Sequence, residues 1–189
     1  MNDSFELLRS ECEGCTRCEL HKTRTNCVFG TGDQQADILF VGEAPGDNED
    51  KTGIPFVGRA GQLLDQYLYA VDIPRDSVYI ANILKCRPPK NRDPLPAEED
   101  ACIDFLRRQV KLIDPKIIVC LGRISAMRLI RPDYKITKEH GEWVQKGKFL
   151  ITAVYHPALL LRDPRRKEEM LVDMKKIKQE LDRINSERT

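Results

Sequence analysis

Seven cysteines stand out in a chain of 189 residues: Cys12, Cys15, Cys18, Cys27, Cys86, Cys102 and Cys120. Three of them form two overlapping pairs, Cys12-x2-Cys15-x2-Cys18. Cys86 and Cys102 are separated by fifteen residues. The odd count, and an opening MNDSFELLRSE without an apolar signal core, argue against a disulfide framework and make the cytoplasm the expected compartment. In a reducing compartment, thiolates from two distant segments suit a tetrahedral zinc ion or an iron–sulfur cluster. Spacing alone does not choose between the two. Cys120, among Ile118, Val119 and Leu121, and Cys27, beside Val28 and Phe29, read as small buried hydrophobes.

Other chemistry-bearing residues fall at the ends of apolar runs. Gly42-Glu43-Ala44-Pro45-Gly46 follows Asp37–Val41, Asn82 lies in the run Val78–Leu84, and His156 follows residues 149–154 and precedes Pro157. Of the three histidines only His156 has that setting; His21 and His140 lie in polar stretches. The turn at 42–46 lacks the Lys-Ser/Thr ending of a phosphate loop, which counts against an ATPase. Lys85, Arg87, Lys90 and Arg92 form one basic group, and Arg162, Arg165, Arg166 and Lys167 a second. Lysine plus arginine is 31 against 30 acids, a net charge of +1, so a nucleic-acid face must be a local patch.

These residues need a scaffold. The composition is 41% apolar and 32% charged, ordinary for one soluble globular domain, and no run approaches the roughly 20 residues of a membrane span. Ser4 caps a short N-terminal helix; residues 37–42, 78–84, 116–121 and 149–154 read as strands buried on both faces. Helices fit 59–70, 97–113, the stretch after Gly122 and roughly 165–185, the last with a stripe of Met170, Met174, Ile177, Leu181 and Ile184. The prolines between Cys86 and Pro96 preclude helix there. Alternating strand and helix predicts a three-layer α/β/α domain around a four-stranded, mainly parallel sheet. It spans 1–189, with 1–30 as N-terminal helix and metal-binding segment and 185–189 as a frayed tail. Ligands of such sheets bind beyond the carboxyl ends of the strands, where Gly42–Gly46, Asn82 and His156 fall.

Four segments, in order, carry a family resemblance: Gly42-Glu-Ala-Pro-Gly46, Lys51-Thr-Gly-Ile-Pro-Phe-Val-Gly-Arg-Ala-Gly61, Asn82-Ile-Leu-Lys-Cys-Arg-Pro-Pro-Lys-Asn-Arg92 and His156-Pro-Ala158. Together they resemble the family 4, iron–sulfur type uracil-DNA glycosylases, over about Cys15 to Pro164. The family's C-x2-C pair with a leucine two residues on matches Cys15, Cys18 and Leu20. The resemblance implies a [4Fe–4S] cluster on Cys15, Cys18, Cys86 and Cys102, with Cys12 spare. A related branch carries a histidine that bonds covalently to substrate in a longer loop; residues 86–102 contain no histidine, so that branch is not implied.

The same likeness implies excision of uracil from DNA by a monomer, with uracil-containing DNA as partner and no membrane. Gly42, Glu43, Ala44, Phe56, Asn82 and His156 would hold the base, and Glu43, Asn82 and His156 would act on it. Other branches have an aspartate where this chain has Ala44, so the water falls to Glu43, with Asp47, Glu49 and Asp50 as alternates. No lysine occurs from Ala36 to Asp50, which argues against a Schiff base and for a water-using enzyme. Lys85, Arg87, Lys90, Arg92, Arg162 and Arg165 would grip phosphates, and Leu160, within Leu159–Leu161, is the expected wedge into the stack. The alternatives are a non-catalytic iron–sulfur nucleic-acid-binding module and a zinc-stabilised nucleotide-binding protein.

Overall fold

The computed structural model describes residues 4–187. Ser4 caps α1 (Phe5–Glu13) through its Oγ, which accepts the Leu7 N–H at 3.2 Å. That helix buries Leu8 and Cys12, one turn apart. The strands are β1 (Thr31–Gly32), β2 (Ile38–Gly42), β3 (Tyr79–Asn82), β4 (Ile117–Leu121), β5 (Trp143–Lys146) and β6 (Phe149–Val154). Between and after them come α2 (Asp47–Thr52), α3 (Arg59–Ala70), α4 (Pro96–Ile113), α5 (Arg123–Leu129), α6 (Ile136–Glu139), α7 (Pro157–Arg162) and α8 (Lys167–Ser186).

The sheet is six-stranded and mixed, in the order β1-β3-β2-β4-β6-β5, not four-stranded as expected. The four expected strands are its parallel centre; β1 and β5 add antiparallel edges. Every residue of β2, β3 and β4 is buried, which is why these strands read as unbroken apolar runs. β1 is two residues long, too short to leave a pattern. β5 joins β6 through a tight turn at Gly147, whose φ of 57° favours glycine.

Topology places the helices. The chain steps from β2 to β3 through α3, then back across β2 to β4 through α4. Right-handed crossovers put those two helices on opposite faces. Side-chain pairing agrees: Arg128 of α5 meets Asp100 of α4 at 2.7 Å, and Tyr67 of α3 donates to the Lys167 carbonyl of α8 at 3.1 Å. Connections leaving β2 and β4 therefore diverge, making a switch point at their carboxyl ends. A smaller apolar cluster of Leu8, Leu20, Leu84 and Phe105 surrounds Cys12, Cys86 and Cys102 apart from the main core. The last helix runs to Ser186, so residues 185 and 186 of the expected tail are helical, and 188–189 lie outside the described residues, as do 1–3. Among the described residues no helix is long and apolar enough to cross a membrane.

Candidate functional site

A cavity of about 470 Å³ opens at the carboxyl ends of β2, β3 and β6, lined by Glu43–Gly46, Phe56, Asn82 and His156 among others. Its size suits one small ligand or a single nucleotide base. Asn82 ends β3 and is 1% exposed. Its Oδ1 is buried without a hydrogen-bond partner among the described residues. A buried acceptor left unpaired costs about 1–3 kcal/mol, so its place in a ligand cavity marks it as a reader of something that donates. Gly42 makes the approach possible. A Cβ there would stand 2.3 Å from Asn82 Oδ1 and 2.7 Å from the Phe56 ring.

Phe56 holds a left-handed backbone (φ 54°), unusual for a bulky side chain and strained. Two contacts fix it. Glu49 Oε1 accepts the N–H groups of Val57 and Gly58 at 2.9 and 2.8 Å. Gly61 lets α3 start against the strained turn, since a Cβ there would lie 1.7 Å from the Phe56 carbonyl oxygen. The Phe56 ring thereby lies 5.6 Å from that of His156, tilted by 32°. His156 caps α7, its Nδ1 accepting the Ala158 N–H at 3.1 Å. The proton of the neutral ring is therefore on Nε2. Burial, with Arg162 adding to it and Glu49 opposing, lowers the imidazole to about 4, so it is neutral at pH 7.

The four acids of 43–50 separate by role. Asp47 pairs with Lys51 at 2.5 Å and Arg87 at 2.7 Å. Glu49 holds the Phe56 turn. Asp50, 4% exposed, accepts the N–H of Thr25 at 2.9 Å and of Asn26 at 3.3 Å. Asp47, Glu49 and Asp50 all lie in the first turn of α2, where acids complement the helix dipole. Glu43 alone is left facing the cavity without such a bond. Burial first, then Asp93 and Glu99, raises its carboxyl to about 7, with Arg123 opposing.

A second, smaller cavity is lined by Cys12, Cys15, Cys18, Cys86 and Cys102 together with Arg24 and Lys85. N–H groups point at the sulfurs: Arg24 Nη1 lies 3.1 Å from Cys86 Sγ, the Lys85 N–H 3.3 Å from Cys102 Sγ and the Arg17 N–H 3.5 Å from Cys15 Sγ. Burial raises the free thiols of Cys86 and Cys102, to about 12 and about 11. A bound metal reverses that preference, since a coordinating thiol is deprotonated outright. No three of these side chains, among the described residues, converge on a single ion. A multi-iron cluster spreads its metals and has no need of one convergence point. Residues 87–101, held at both ends by Cys86 and Cys102, supply Pro88, Asn91, Arg92 and Asp93 to the wall of the first cavity.

Some of the side chains expected to grip phosphate are turned inward or held by acids. Lys85 is 1% exposed; its Nζ turns inward to the Asn82 carbonyl at 2.9 Å and Gln109 Oε1 at 2.6 Å, so it touches no DNA. Arg92 forks onto Glu98, and Arg87 is held by Asp47 and by Asn91 at 2.7 Å. Lys90 is exposed, Arg162 lines the cavity, and Arg165 is exposed beside Asp163. Leu160 is fully buried and cannot be a wedge; Leu161, one residue on, is 37% exposed. Sequence reasoning missed Gln109, which holds Lys85, and Arg123 and Asp93 beside Glu43. It also placed His140 in a polar loop, whereas His140 packs on Tyr155 and bonds Asp173 at 2.5 Å, away from the cavity.

A central parallel sheet with a cavity at the carboxyl ends of its strands defines an α/β enzyme-like domain. A family model for the uracil DNA glycosylase superfamily matches residues 29–181. The type-4 uracil-DNA glycosylase of Archaeoglobus fulgidus is 45% identical over 185 residues, 93% of this chain and 92% of that protein. That of Sulfurisphaera tokodaii is 45% identical over 186 residues (94% and 84%), and that of Thermotoga maritima 45% over 163 residues (84% of each). The chain belongs to the uracil-DNA glycosylase superfamily, in its type-4 branch.

Proposed function

We propose that this chain excises uracil from DNA by hydrolysing the N-glycosidic bond of a flipped-out deoxyuridine, leaving an abasic site. The observation that carries the reading is the buried, unpaired Asn82 Oδ1 in the cavity. An asparagine amide has acceptor and donors to match the N3–H and O4 of uracil. Cytosine reverses that pattern and would leave buried groups unpaired, so discrimination against it is strong. A base inside a duplex must be extruded before it reaches such a pocket. Phe56 stacks on it from the strained turn, Glu43 and Ala44 border it, and Gly42 packs behind Asn82 and Phe56.

His156 donates from Nε2 to uracil O2 as negative charge gathers there. A neutral donor held in place by the Ala158 N–H needs no reorganisation during the reaction. The sugar develops cationic character, which the ionised Glu43 favours while it orients the attacking water. Asp47, Glu49 and Asp50 are occupied elsewhere, which leaves this role to Glu43. Among the described residues lining the cavity there is no lysine, consistent with water rather than an amine as nucleophile. Lys90, Arg162 and Arg165 supply the phosphate contacts, and Leu161, in place of Leu160, the exposed apolar side chain.

The cysteine cavity fits a [4Fe–4S] cluster on Cys15, Cys18, Cys86 and Cys102. Beyond the thiols and their N–H donors, Lys85 supports this assignment. It is a buried amine whose bonded partners are the neutral acceptors of Asn82 and Gln109, and a net-negative cluster supplies its missing counter-charge. When bound, the cluster would supply a cross-link between the N-terminal segment, the loop after β3 and α4. Through it the wall formed by Pro88–Asp93 is fixed against Asn82. The test is Asn82→Ala. Excision from a deoxyuridine oligonucleotide should fall by about a hundred-fold or more, with DNA affinity and iron content kept. Equal rates in Asn82→Ala and wild type would overturn the reading.

A further inference from the structure

Two thiols near the cluster cavity have no part in the proposed ligand set. Cys12 closes the buried face of α1 and is 0% exposed; Cys27 lies in the segment leading to β1 and is half-buried. Their sulfurs are 3.0 Å apart. Both lie against the same small apolar cluster, formed by Leu8, Leu20 and Phe29. The chain between them carries Cys15 and Cys18.

We propose that Cys12 and Cys27 are a redox site that hydroperoxides convert reversibly to a disulfide, locking the loop that bears Cys15 and Cys18. The proposal rests on the ligand assignment above. The sulfurs need to close by only about 1 Å to reach a disulfide bond length. Cys27, the more accessible of the two, reacts first. Its thiolate attacks a peroxide oxygen, the O–O bond breaks, and the departing hydroxide (or alkoxide) takes up a proton. This leaves Cys27 as a sulfenic acid. The Cys12 sulfur then attacks the Cys27 sulfur, the S–O bond breaks, and the oxygen leaves as water with the Cys12 proton. With hydrogen peroxide the balance is two thiols oxidised by two electrons and one peroxide reduced to two waters. A dithiol reductant reverses it by exchange.

The disulfide does for the loop what the cluster does in the intact protein. Closing a loop of about fifteen residues restricts the unfolded chain, so Cys15 and Cys18 stay near Cys86 and Cys102 if iron is lost. A cysteine pair beside an oxidisable cluster is thereby a means of surviving and rebuilding it. Cys120 takes no part, since it is fully buried in β4.

The test treats the iron-loaded protein, without air, with one equivalent of hydrogen peroxide. Free thiols are then alkylated, and the intact mass and non-reduced peptides are measured. The expected result is two fewer alkylated thiols than in the untreated protein, and one cross-linked peptide pair joining Cys12 to Cys27 that is two mass units lighter than the two free-thiol peptides together. Iron content stays unchanged, and the Tm rises by several degrees, returning with dithiothreitol. Cys27→Ala should keep its iron and its excision activity and form no cross-link. Recovery of Cys12 and Cys27 as separately modified thiols, or cross-links confined to Cys15, Cys18, Cys86 and Cys102, would overturn the proposal. Loss of iron in Cys27→Ala, before any peroxide, would instead overturn the ligand assignment and take this proposal with it.

Discussion

Glu43 is the group whose chemistry is most exposed to a simple perturbation. Its carboxyl titrates at about 7 because it is buried and lies near Asp93 and Glu99, with Arg123 a partial counterweight. The role assigned to it needs the ionised form. With a midpoint near 7, roughly a tenth of the molecules are competent at pH 6 and roughly nine tenths at pH 8. The single-turnover excision rate should therefore rise about tenfold over that interval and level off above it. Glu43→Gln removes the titrating group. Its rate should be flat across the same range and about a hundred-fold or more below wild type at pH 8, with unchanged DNA affinity. Asp93→Asn removes one repelling charge and should move the wild-type midpoint to lower pH. The assay uses enzyme in excess over a labelled deoxyuridine oligonucleotide at saturation, so that binding and product release do not enter the rate. A wild-type rate independent of pH between 6 and 8, or a Glu43→Gln profile that keeps the rise, would refute the assignment.

Cys102→Ala should lose its iron and visible absorbance and melt at lower temperature, because α4 would no longer be tied to the N-terminal segment; iron analysis and a melting curve check this. Cys12→Ala should keep its iron, and loss there would show that the wrong C-x2-C pair was chosen. Gly42→Ala should cut excision sharply with iron retained, since its Cβ would meet Asn82 Oδ1 and the Phe56 ring at 2.3 and 2.7 Å. Full activity in Gly42→Ala would mean that the pocket floor yields more easily than the geometry allows.

The parallel centre of the sheet was legible because β2, β3 and β4 are buried on both faces and so are written as continuous apolar runs. The edges were not. β1 has two residues, and β5, Trp143–Lys146, is partly exposed with only the Gly147-Lys148 turn to betray its hairpin. Glu43, Asn82 and His156 lie at or just after strand ends, so strand order sends them to one end of the sheet, where they line the cavity; Phe56, in the loop before α3, was singled out only by the family resemblance. Charge was read less well than position. A lysine after an apolar run reads as a surface cation, but Lys85 turns inward because Gln109, 24 residues later on α4, offers it an acceptor. Likewise Leu159–Leu161 is one apolar run in sequence, and only the helical turn of α7 decides that Leu160 faces the core and Leu161 the solvent. The acids after Gly46 looked interchangeable until α2 and its neighbours took Asp47, Glu49 and Asp50 for backbone and ion-pair bonds.

The measurement that bears most directly on the account is product analysis after incubating the iron-loaded protein with an oligonucleotide carrying one deoxyuridine, with borohydride present in a parallel sample. The account expects free uracil in one-to-one yield with an abasic strand that breaks only on alkali treatment, and no protein–DNA adduct trapped by borohydride. Absence of free uracil would contradict the assigned reaction, and a trapped adduct would contradict water as the nucleophile.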